Sequence, residues 1–141
     1  MNSSPIQQRG FNLLELLVVL VILGLLVSVV APRYFGQVGK SEIDTARAQI
    51  SALEKALDQY RLDMKRYPAS TEGLTALNTT PNAGDARWRG PYLKKAVPQD
   101  PWGQPYQYRA PGEHGEFDLY SFGPDGKPGG EGEAADIGNW Q

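Results

Sequence analysis

Cysteine is absent from all 141 residues, which excludes a disulfide framework, a thiolate nucleophile and a cysteine metal site. A small domain outside the cytoplasm that has no disulfides needs another staple, and a bound metal ion is a common substitute. Histidine occurs once, at His114, in a turn between polar residues where its ring is expected to be solvated. No Ser-His-Asp or Cys-His set stands out, so the usual nucleophilic constellations are missing. Basic excess is missing as well. The formal net charge is −2, and residues 1–10 hold one Arg and no acid, so the rest of the chain carries 13 basic and 16 acidic side chains. Nothing in that balance attracts nucleic acid. Nor is there a phosphate-binding loop, because Gly126-Lys127 is followed by Pro128, which has no hydroxyl to offer.

One long hydrophobic run is present. Leu13 to Ala31 reads LLELLVVLVILGLLVSVVA, nineteen residues with one charge, at Glu15, and one hydroxyl, at Ser28. As a helix it spans about 28 Å, close to the roughly 30 Å hydrocarbon core of a bilayer, so it can cross a membrane once. A cleaved secretory signal needs a small-residue cleavage pattern after its apolar run. Here the small residue at a sharp boundary is Gly10, ahead of the run, and Pro32 stands at the other end. Arg9, against the start of the segment, favours an N-terminus left inside, and the folded C-terminal part carries nothing like a cytoplasmic nucleotide site.

A carboxylate in an apolar helix costs several kcal/mol on insertion scales unless it is paired or lies at the interface, so Glu15 needs a partner. Cleavage between Gly10 and Phe11 would create an α-amino group four residues earlier, on the same side of the helix. In parallel copies offset along their axes, the amine of one helix can pair with Glu15 of the next and set an assembly register. The sequence Arg9-Gly10-Phe11-Asn12-Leu13-Leu14-Glu15 followed by the apolar run resembles the prepilin cleavage and methylation signature of type IV pilin-like proteins. That resemblance implies a leader, residues 1–10, removed after Gly10 by a membrane aspartyl prepilin peptidase, with N-methylation of Phe11. Asn12 departs from the Thr more usual in the family.

Beyond Pro32 the pattern becomes amphipathic. Ile43, Ala46, Ile50, Leu53, Leu57, Tyr60 and Met64 recur at alternating spacings of three and four, a narrow helical stripe that belongs against a small sheet or neighbouring helices. Pro32 removes an amide donor, and Gly24 weakens the helix. In pilin-like filaments this stretch loses helicity on assembly, so residues 24–32 are expected to extend when subunits leave the bilayer. Tyr67-Pro68 is expected to end the helix. A short helical patch follows at residues 73–77, then a polar connection to Pro91. Asp100-Pro101-Trp102-Gly103 reads as a turn. Residues 105–108 and 117–120 alternate as a hairpin joined by the loop 110–116, giving a small antiparallel sheet over the helical stripe.

The loop from Gly123 to Trp140, GPDGKPGGEGEAADIGNW, contains Asp125, Glu131, Glu133 and Asp136. Hard oxygen ligands on an irregular, Gly-rich loop suit calcium, although composition alone favours a solvated acidic loop. The segments YPASTEGLTAL, YLKKAVPQDPWGQPYQY, GEHGEFDLYSFGPDG and ADIGNW closely resemble the major pseudopilins of bacterial type II secretion systems, over nearly the whole chain after residue 10. By that resemblance the loop binds calcium through the side chains of Asp125 and Asp136 and the main-chain carbonyl of Phe122. Some relatives have adjacent aspartates where this chain has Ala135-Asp136, so a further ligand falls to a carbonyl, a water, Glu131 or Glu133. Ile137 and Trp140 are expected to pack the loop's end on the sheet.

The resemblance implies an α+β, type IV pilin-like fold: a long N-terminal helix, transmembrane then amphipathic, on a small antiparallel sheet with a C-terminal metal-binding loop. The expected divisions are a leader at 1–10, a transmembrane and assembly helix at 11–32, and a periplasmic domain at 33–141. The implied function is structural: a homopolymer in a short periplasmic filament, anchored singly in inner-membrane lipid, that drives folded proteins through an outer-membrane channel. Minor pseudopilins, an inner-membrane assembly platform and the prepilin peptidase are the implied partners. Two other classes compete with this one. A membrane-anchored hydrolase or metal enzyme is opposed by the single His and absent Cys, and a type IV pilus or DNA-uptake pilin by the loop and the missing cysteine pair.

Overall fold

The computed structural model describes residues 10–141, apart from the side chains of residues 31–35. The expectations for Arg9 and for the ring of Pro32 lie outside the described residues. The chain divides into two compact units between Val38 and Gly39, and one helix, α1 (Leu13–Met64), contributes to both.

In the first unit α1 carries the stretch Leu13–Val30, 18 residues of mean hydropathy 3.1, long and apolar enough to cross a membrane, with none of it buried among the described residues. The helix runs on through Gly24 and Pro32. Ser28 satisfies its hydroxyl on the carbonyl of Leu25, three residues back at 2.7 Å, the local bond open to a serine where no water competes. Residues 24–32 are thus helical in the single chain.

In the second unit α1 supplies one wall of the core. Ala46, Ile50, Leu53, Ala56, Leu57, Tyr60 and Met64 are buried, while Ile43, the first residue of the expected stripe, is only partly covered. The helix stops three residues before Tyr67. Lys65 takes a left-handed conformation (φ 63°) and donates its amide to the Arg61 carbonyl at 2.8 Å, closing the last turn as a left-handed cap does. A 3₁₀ turn at Leu74–Leu77 buries Leu74, Ala76 and Leu77, and the indole of Trp88 donates to the carbonyl of Ala76 at 2.9 Å.

The sheet has three short antiparallel strands in the order β1 (Gln107–Arg109), β2 (Asp118–Ser121), β3 (Ile137–Gly138). Its first strand begins two residues later than expected. Pro105 has no amide to donate and instead makes an isolated bridge with Gln99. The register sets Gln107 opposite Tyr120, Tyr108 opposite Leu119 and Arg109 opposite Asp118. Strand β3, which the sequence showed only as a packed loop end, pairs with β2 through Tyr120 with Gly138 and Ser121 with Ile137. Leu119, Phe117, Tyr106 and Ile137 close the core over α1. Bonds from loops to the helix pin the layers together: Tyr92 to Asp63 at 2.9 Å, Trp102 to Glu42 at 2.9 Å, and Tyr106 to Gln49.

Candidate functional site

The acidic loop is the connection between two paired strands, which the sequence alone did not reveal. Ser121 lies opposite Ile137, so Phe122 and Asp136 are the next residues on either side and form the mouth of the connection. The ladder thus makes neighbours of two expected ligands that lie far apart in sequence.

Asp136 offers the feature that bears most directly on a metal. Its Oδ2 accepts the amide of Gly129 at 3.0 Å, whereas its Oδ1 is buried without a hydrogen-bond partner. A buried carboxylate oxygen left unpaired is costly and marks a place where a cation or water belongs. Main-chain oxygens line the same connection. A side chain at Gly123 (φ 77°) would stand 3.1 Å from the Ala135 carbonyl oxygen and 3.6 Å from that of Ala134, and one at Gly130 (φ 95°) would collide with the Ala134 carbonyl. Both glycines therefore have a conformational and a steric reason to be there. Asp125 is exposed and accepts the amide of Lys127 on Oδ1 at 3.1 Å. Glu131 is exposed ahead of the 3₁₀ turn Gly132–Ala134. The Glu133 carboxylate lies against Gly39 of α1. Among the described residues no three His, Cys, Asp or Glu side chains form a metal cluster. The donors present are carboxylate and carbonyl oxygens, which fit calcium; its shell would draw on main chain and water as much as on carboxylates.

Two groups beside the connection were not legible as site residues. Asp100 and Ser121 are both buried, and the Ser121 hydroxyl donates to Asp100 Oδ2 at 2.6 Å while accepting the amide of Gly123 at 3.0 Å. An Asp opening a Pro-Trp-Gly turn signals a side chain that bonds the amide two residues on; that it also reaches β2 depends on the tertiary fold.

His114 is exposed, as expected, but it also has partners: its ring stacks on Trp140 with centroids 4.0 Å apart and planes 9° apart, and Nδ1 lies 3.1 Å from Asp118 Oδ2. The loop 110–116 folds back over β2, so a polar turn residue finds an aromatic face. Asp118 is buried by the same fold. Burial pushes its carboxyl up, but the amide of Glu113 and the ring and amide of His114 outweigh this and hold it below the usual range. Trp140 also packs edge-on to Tyr120 at 5.6 Å, and Ile137 is buried, so both make the packing contacts expected of them.

At the other end of the chain Gly10 and Phe11 precede α1 and are exposed, while Glu15 lies exposed in its first turn. There the amide ends of the helix favour a negative charge.

Comparison with known proteins separates the two ends in the same way. Residues 33–140 match the family model described as type II secretion system protein G, and residues 6–31 match the prokaryotic N-terminal methylation motif. The chain is 49% identical to the type II secretion system core protein G of Pseudomonas aeruginosa over 137 residues, covering 95% of this chain and 96% of that protein. It is 48% identical to the protein of the same description from Vibrio cholerae, covering 95% and 92%. Among solved structures it resembles the major pseudopilin from the type 2 secretion system of enterohaemorrhagic Escherichia coli, with a TM-score of 0.63 and 40% identity over 75% of this chain and 92% of that one.

Proposed function

The chain belongs to the type II secretion system protein G family and is a structural subunit of the secretion pseudopilus, and we propose that it polymerises through residues 11–64 into the filament that drives folded proteins across the outer membrane. The observation that carries this reading is the division of labour along α1: an N-terminal stretch of apolar side chains with no cover among the described residues, and a C-terminal stretch whose apolar stripe is buried under a pseudopilin-like sheet. Uncovered apolar surface on that scale suits a bilayer before assembly and neighbouring helices after it. Its relatives favour secretion over a type IV pilus or DNA-uptake role.

In this reading the subunit begins as a single-pass inner-membrane protein, N-terminus in the cytoplasm and residues 33–141 in the periplasm. Prepilin peptidase cuts between Gly10 and Phe11, Phe11 is methylated, and Glu15 pairs with the amine of a neighbouring copy. Minor pseudopilins and the inner-membrane assembly platform complete the partners. Mass spectrometry of the membrane-extracted protein tests the processing: loss of residues 1–10 with a methylated Phe11 is expected, and an intact leader contradicts it.

Calcium is the second part of the proposal. Asp136, Asp125 and the carbonyl of Phe122 would hold it, and the ion would neutralise and order a connection whose fold otherwise leaves Asp136 Oδ1 unpaired. Chelation should lower the melting temperature and the protease resistance of the detergent-extracted protein. Curves that superimpose with and without chelator would refute the calcium site.

A further inference from the structure

The β2–β3 connection is anchored from outside itself. Ser121, with no exposed surface, donates its hydroxyl to Asp100 Oδ2 at 2.6 Å and accepts the Gly123 amide at 3.0 Å. Asp100 is 4% exposed, and its other oxygen accepts the amides of Trp102 at 3.1 Å and Gln104 at 2.8 Å. The Trp102 indole in turn donates to Glu42 Oε2 on α1 at 2.9 Å.

Capping a turn explains the two bonds to Oδ1. It does not explain why Oδ2 is directed at a strand 21 positions away. That bond has a directional consequence. Asp100 takes the only hydrogen of the Ser121 hydroxyl, so toward Gly123 the serine can act solely as an acceptor. The Gly123 amide is thereby held, and with it the whole planar peptide that joins Phe122 to Gly123. In a trans peptide the carbonyl points opposite to the amide hydrogen, so fixing that N–H on Ser121 fixes the direction of the Phe122 carbonyl.

We propose that Asp100 and Ser121 are positioning residues for calcium, clamping the Phe122–Gly123 peptide so that the Phe122 carbonyl faces the β2–β3 connection before the ion arrives. The proposal rests on the calcium reading of that connection. Groups that orient a metal ligand typically govern affinity by about 10–100-fold when removed. Preorganisation is the reason: without the clamp, part of the binding energy goes into ordering the ligand.

The test is calorimetric titration of the detergent-extracted full chain with calcium chloride, comparing wild type, Asp100→Asn and Ser121→Ala. Asp100→Asn keeps the shape of the side chain and the acceptor for the Trp102 and Gln104 amides, but presents a donor to Ser121. Both variants should bind calcium about 10–100-fold more weakly, and calcium should raise their melting temperature by less than it does for wild type. If both melt lower by the same amount in calcium and in chelator, with wild-type affinity, the pair is only a turn cap and the proposal falls. If wild type itself binds no calcium, the calcium reading falls and takes this one with it. Amide exchange on wild type in chelator is independent of how the variants fold: the Gly123 amide should already be protected, and fast exchange there overturns the clamp.

Discussion

Single residues carry the chemistry that was hardest to see. Asp118 stands in an alternating strand where a charged residue ordinarily faces water, yet it is buried, because the loop 110–116 closes over it and supplies the amides of Glu113 and His114. No local pattern encodes that; it depends on a loop that folds back over β2 and stacks His114 on Trp140. The consequence for acid stability has a definite sign. The folded-state carboxyl lies below its ordinary value, so Asp118 contributes stability above the unfolded carboxylate pKa, about 3.9, and loses it as pH falls through the lower folded value. Denaturant titrations between pH 2 and 7 should show Asp118→Asn less stable than wild type near neutrality and the gap narrowing in acid. A constant gap across that range would place its role in packing alone. The orphaned oxygen of Asp136 predicts the complementary result: Asp136→Ala should remove the calcium-dependent rise in melting temperature while changing the chelated protein little.

Elements were more legible than residues, and for a simple reason. The stripe from Ala46 to Met64 repeats at the helical period, and every one of its residues from Ala46 onward is buried. Periodicity reports which face is covered without specifying by what. Leu57, fully buried in the middle of that stripe, should cost about 2–5 kcal/mol when replaced by Ala, measured by chemical denaturation. The end of the helix was less legible, since the stop comes from a left-handed Lys65 rather than from Pro68. A side chain in that conformation is strained, and glycine is not. Lys65→Gly should therefore stabilise the fold by on the order of 0.5–1 kcal/mol, and a loss of stability would mean that the lysine side chain makes up for the strain. Strand β3 escaped notice because two residues, Ile137 and Gly138, are too few to show an alternation.

At the scale of the whole molecule, the N-terminal unit has its meaning only in an assembly. Nothing among the described residues covers Leu13–Val30, and Glu15 sits at the start of that stretch, in the first turn of α1. A carboxylate near a bilayer interface can remain hydrated, so insertion by itself makes weak demands on Glu15; a dry bundle of helices demands a cationic partner. The proposed amine of a neighbouring Phe11 is such a partner, and it exists only after cleavage behind Gly10. Glu15→Ala should therefore reach the membrane at wild-type levels and lose its leader normally, yet enter filaments poorly. Glu15→Asp, with the charge retained but one methylene shorter, should fall between the two. Filament yield from overexpressing cells, set against the membrane-fraction level of each variant, separates the steps. If Glu15→Ala polymerises as wild type does, the register is set by helix packing alone. If it fails to insert, the carboxylate acts earlier than assembly, and the pairing of Glu15 with Phe11 is the wrong account of why a charge stands in this helix.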